Sequence, residues 1–80
     1  MRGRRSLPHL PSRPAWRCQS CGIAWPCSAA KLRLLAEYRR DRVALLVYLA
    51  TLQAEAGEQL AGLDPARLTD RFISWARARG

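Results

Sequence analysis

Residues 9–27 read His9-Leu-Pro-Ser-Arg-Pro-Ala-Trp-Arg-Cys18-Gln-Ser-Cys21-Gly-Ile-Ala-Trp-Pro-Cys27. All three cysteines of the 80-residue chain and its sole histidine fall in this stretch. Two thiolates two residues apart reach one ion from a tight turn. Gly22, directly after the second cysteine, permits the positive φ that aims backbone N–H groups at sulfur. Cys27 follows five residues later and can close back on the same ion. A structural zinc site takes four protein ligands. His9 supplies the fourth, on an arm whose eight intervening residues fold back. The pattern is His-x8-Cys-x2-Cys-x5-Cys, and it predicts one zinc ion per chain held by His9, Cys18, Cys21 and Cys27. Iron–sulfur clusters normally take four cysteines. A redox reading of Cys-x-x-Cys would need a preceding strand. The bland alternative is three reduced thiols beside a solvated histidine; a separate alternative keeps the metal on the three cysteines, with water or a partner's side chain in place of His9.

To the N-terminal side, Pro8, Pro11 and Pro14 discourage helix. Residues 1–8 read as a flexible basic tail, and residues 9–27 as the zinc-binding arm and knuckle. To the C-terminal side, residues 28–80 read as a helical hairpin. Ser28 is the candidate N-cap. A long helix over about 29–56 carries the stripe Leu35, Tyr38, Leu45, Leu49, Leu52 and Ala56. Gly57 and Gly62 mark its exit. Asp64 and Pro65 then form a second start, with Asp as N-cap and Pro at the first helical position. The second helix runs over about 65–78, with Leu68, Phe72, Trp75 and Ala76 on one face. The fold class is mainly α, with the knuckle packed on the hairpin. Trp16, Trp25 and Trp75 are read as core, the alternative for the first two being a stacking or anchoring surface.

A chain this short needs a staple or a partner to be stable. Between Val43 and Leu52 the long helix is apolar nearly all round, so it is covered on several sides, by other elements or another subunit. The run is too short to span a bilayer, and no secretory signal is seen. An odd cysteine count argues against a closed disulfide framework. The expected setting is therefore the reducing cytoplasm, with thiols free for metal.

Net charge is +8, and all the surplus lies in residues 1–42. That block suits nucleic acid, an acidic protein or an anionic membrane, or is a solvated Arg-rich surface. Candidate contacts to nucleic acid or an acidic partner are Arg13, Arg17, Lys31, Arg33, Arg39, Arg40 and Arg42, with Arg2, Arg4 and Arg5 in the tail. Arg39, Arg40 and Arg42 span most of a helix circumference, so no single reading face is evident. Glu37 and Asp41 pair more naturally with neighbouring arginines than with the metal. Ser20 and Ser28 lack a base partner. No catalytic residue is assigned.

The motif His9-x-Pro11-Ser12-Arg13-Pro14-x-Trp16-x-Cys18-x-x-Cys21-Gly22-x-x-Trp25-Pro26-Cys27, followed by Leu34-Leu35-Ala36-Glu37-Tyr38 and Leu68-x-x-Arg71-Phe72-x-x-Trp75, resembles a set of small actinobacterial proteins often labelled flavin reductase. The resemblance covers about residues 9–77 and implies a standalone protein with a zinc-ligand pattern. The chain itself has no Gly-rich phosphate loop after a strand, and it is short for a flavin and nicotinamide site. The expected function is a zinc-stabilised interaction or regulatory module that self-associates through its apolar helix. The alternatives are a basic, zinc-containing nucleic-acid-binding protein and an accessory subunit of a larger enzyme.

Overall fold

The computed structural model describes residues 8–77. The expected tail over 1–8 and the last residue of the second helix, Ala78, therefore lie largely outside the described residues. The mainly α architecture is as expected, with the knuckle seated on a helical hairpin. Four helical pieces follow the knuckle: α1 (Ser28–Glu37), α2 (Arg42–Gln59), α3 (Pro65–Thr69) and α4 (Trp75–Arg77). A π-helical turn over Asp70–Ser74 joins α3 to α4, so the backbone stays helical from Pro65 to Arg77.

The expected single helix over 29–56 is two helices. Tyr38 leaves the helical region (φ −104°, ψ 23°) and ends α1. Asp41 (φ −145°, ψ 76°) restarts the chain as an N-cap, its carboxylate accepting from the Ala44 amide at 2.9 Å. An Asp side chain satisfies an orphan amide of the first turn, which an uninterrupted helix would not leave open. Asp41→Ala should lower stability by about 1 kcal/mol, read as a shift of the denaturant midpoint with unchanged slope.

Cys27, rather than Ser28, caps α1, and its carbonyl accepts from the Lys31 amide. The third cysteine thus fixes where the first helix begins. Gly57 lies inside α2, which runs on to Gln59. The second helix starts as expected, with Asp64 accepting from Ala66 N and Pro65 opening the first turn.

α2 and the segment 65–77 run antiparallel. Arg42 at the start of α2 donates to the Ala76 carbonyl, and Gln53 donates to Thr69. Gly57 lies under Leu68. The core between them holds Leu45, Leu49, Leu52 and Ala56 from α2, and Leu68, Phe72 and Ala76 from the opposite strand of the hairpin. α1 adds Ala30 and Leu34, while Leu35 and Tyr38 of the expected stripe are only partly buried. Tyr38 stacks on Tyr48 at 6.1 Å between ring centroids, joining α1 to α2. Trp75 is half-buried, its indole donating to the Arg71 carbonyl.

Candidate metal centre

The arm folds back as two short antiparallel bridges, Pro11 with Cys18 and Arg17 with Ala24. Ser12 N donates to Arg17 O, and Gln19 N to Leu10 O. These bonds lay the segment carrying His9 alongside the knuckle. The knuckle turns tightly because Gly22 takes φ +82° and its amide donates to the Cys18 carbonyl at 2.8 Å. The amides of Ser20 and Cys21 point at the Cys18 sulfur, at 3.4 and 3.3 Å. Trp25 anchors the arm from below, its indole donating to the His9 carbonyl at 3.0 Å.

The four expected ligands come together. His9 Nδ1 and the sulfurs of Cys18, Cys21 and Cys27 all lie within 4.8 Å of one another. Nδ1 is 3.2 Å from Cys18 Sγ, 3.4 Å from Cys21 Sγ and 3.2 Å from Cys27 Sγ, and the Cys18 and Cys27 sulfurs are 3.7 Å apart. A tetrahedral ion with metal–sulfur bonds of about 2.3 Å and metal–nitrogen bonds of about 2.0 Å sets sulfur–sulfur edges of ~3.8 Å and nitrogen–sulfur edges of ~3.5 Å. The three edges from His9 and the Cys18–Cys27 edge need only a few tenths of an ångström of adjustment, and with all four donors within 4.8 Å of one another the set fits such an ion.

The electrostatics set two of the thiols apart. Burial opposes charge on Cys18, but the amides of Cys21 and Ser20 and hydrogen bonds from His9 and Cys27 outweigh it and bring its thiol down to about 6. Cys21 goes the other way. Desolvation of its sulfur, together with its hydrogen bonds to the neighbouring thiols and their charge, pushes it up to about 11. Three thiols packed this closely do not ionise independently, and a dication at their centre would favour the thiolate at each.

Trp16 and Trp25 are core, at 0% and 1% exposure. Their rings meet Phe72 at 5.5 and 6.0 Å, and each other at 6.3 Å. Trp16 takes φ +57°, and its indole donates to Gln59 Oε1 at 2.6 Å. Arg13 lies over the Trp16 ring at 4.4 Å and pairs with Glu55 at 2.9 Å. The arm is therefore latched to the C-terminal half of α2.

Four of the basic candidates are engaged within the chain. Arg13 is held by Glu55, and Arg33 pairs with Glu37 at 3.2 Å. Arg17 donates to the Gly22 carbonyl, and Arg42 to the Ala76 carbonyl. Arg39 and Arg40 are exposed in the turn between α1 and α2, and Lys31 is half-buried on α1. Arg2, Arg4 and Arg5 lie outside the described residues.

One residue with no assigned role in the sequence organises the site. Arg71 donates from Nε to the Trp25 carbonyl and from Nη2 to the Trp16 carbonyl, both at 2.7 Å. It clamps both tryptophan-bearing segments of the knuckle onto the hairpin. Charge and periodicity give no signal for this, because it depends on how distant segments meet.

No helix among the described residues is long and apolar enough to cross a membrane. What fold and site define is a small helical protein with a His/Cys₃ cluster that could hold a metal ion. Comparison with protein families, curated proteins and solved structures finds no match.

Proposed function

We propose that this chain is a zinc-stapled protein-interaction module that pairs with a second copy of itself through α2. Zinc suits a site of three thiolates and one imidazole with tetrahedral spacing. Four protein ligands leave no open position for substrate or water, which favours a structural over a catalytic role.

The carrying observation is the outer face of α2. Val43 is 71% exposed and Val47 is 61% exposed. With the exposed Ala50 and Ala54 they recur at spacings of four, three and four. That is the spacing of a helix–helix seam, and the alanines let a second helix approach closely. The flanking positions Ala44, Leu46, Thr51 and Gln53 are all uncharged. A self-pair would therefore place no like charges against one another across the seam, where they would be destabilising.

Sedimentation of the metal-loaded chain tests the reading. The wild type should sediment as a dimer that dissociates on dilution. Val47→Glu should weaken pairing by about tenfold or more, with unchanged helicity because Val47 faces outward. A wild type that stays at the 9.0 kDa monomer mass at every concentration would sink the proposal.

A further inference from the structure

The seam on α2 has a large half and a small half. Val43 and Val47 lie toward its start, Ala50 and Ala54 toward its end, and all four are exposed. Two copies can lay α2 against α2 in two directions. A parallel pair sets each residue against itself. Facing valines then hold the helices apart at one end, and facing alanines leave a gap at the other, where contacts are lost. An antiparallel pair turns one copy about a twofold axis midway between Val47 and Ala50. Val43 then meets the partner's Ala54, and Val47 meets the partner's Ala50. Every layer has the same width, so the helices stay in contact along the whole seam.

Charge selects the same direction independently. Glu58 lies four residues beyond Ala54, about one helical turn, and is exposed. Arg39 lies four residues before Val43, and with Arg40 it is exposed in the turn that leads into α2. None of the three forms an ion pair among the described residues. The remaining charges of α2 and its cap are already engaged. Asp41 accepts from Ala44 N, Arg42 donates to the Ala76 carbonyl, and Glu55 is held by Arg13. A parallel pair would set Glu58 beside the partner's Glu58, and the arginine turn beside its own copy, like charge on like charge at both ends. The antiparallel register that matches valine to alanine brings Glu58 to the partner's Arg39.

We propose that two copies pair antiparallel along α2, with each seam valine against an alanine of the other copy and Glu58 against Arg39 and Arg40 of the partner subunit. This rests on the self-pairing reading and adds its direction and register. Twofold symmetry makes every contact twice. Arg13 and Trp16 are fastened to Glu55 and Gln59 near the end of α2. The two arms therefore lie at opposite ends of the seam, each beside the start of the other copy's helix.

The test is sedimentation of the full, metal-loaded chain at low salt in four forms: wild type, Glu58→Arg, Arg39→Glu/Arg40→Glu, and the three substitutions combined. All three side chains are exposed, so the fold is kept. Each reversal alone should weaken the dimer by about fivefold or more, because it sets like charges together at both ends. The combined form should pair within about twofold of wild type, because opposite charges face one another again. Single reversals that pair as the wild type does, or a combined form that fails to recover, would overturn the antiparallel register while leaving self-pairing intact. A wild type that stays monomeric at every concentration would overturn both.

Discussion

Cys27→Ser is expected to abolish metal binding and to unfold most of the chain. Elemental analysis of the tag-free wild type should give one zinc per chain, and the variant none. Cys27 carries two duties at once. Its sulfur closes the ligand set, 3.2 Å from His9 Nδ1 and 3.7 Å from Cys18 Sγ, and its backbone caps α1. Serine can keep the cap but cannot supply a soft thiolate. Structural zinc contributes about 10–16 kcal/mol in small metal-folded peptides, against about 5–15 kcal/mol for the whole stability of a typical domain. Far-ultraviolet circular dichroism should therefore lose most of its helical signal along with the metal. His9→Ala should be milder, because three thiolates remain and water can take the fourth position, so zinc binds more weakly but still binds. Freshly reduced wild-type protein with no stoichiometric metal would remove the zinc assignment, and the cluster would have to be reread as packed thiols.

The second large effect is expected at Phe72→Ala, with a loss of about 3–5 kcal/mol. Phe72 is fully buried and sits where the knuckle meets the hairpin, in contact with both Trp16 and Trp25. Truncation leaves a cavity that two indoles cannot easily fill, since Trp16 is held by Gln59 and Trp25 by His9. Chemical denaturation of metal-saturated protein should show the lost midpoint. Phe72→Leu should recover most of it, because the volume is largely kept. Near-wild-type stability in the alanine variant would mean that the knuckle is not seated on Phe72.

The His/Cys₃ cluster was readable because its chemistry is local. Two thiolates on one turn, a following glycine and a lone histidine within arm's reach leave few other arrangements. The Asp64-Pro65 start was readable for the same reason. The break before α2 was not. Leu34 and Leu45 are both buried and eleven residues apart, close to three turns of an uninterrupted helix at 3.6 residues per turn. The apolar stripe thus keeps its phase across the interruption, and only Asp41 betrays it. The basic residues show a different limit. Composition counts Arg13 and Arg33 among the free cations, yet each has a carboxylate partner, one of them 42 residues away. Arg71 stood in the quoted motif but its role was hidden, because two backbone carbonyls 46 and 55 positions back give it that role.

That clamp has a consequence for a chain made in order from its first residue. The two bonds of Arg71 reach back 46 and 55 positions. All four candidate ligands leave the ribosome long before the residue that seats them. A nascent chain can close its metal loop early, but Trp16 and Trp25 then wait uncovered until the last helix arrives. Any message that ends before the Arg71 codon would yield a product with its candidate ligands intact and two large indoles facing water.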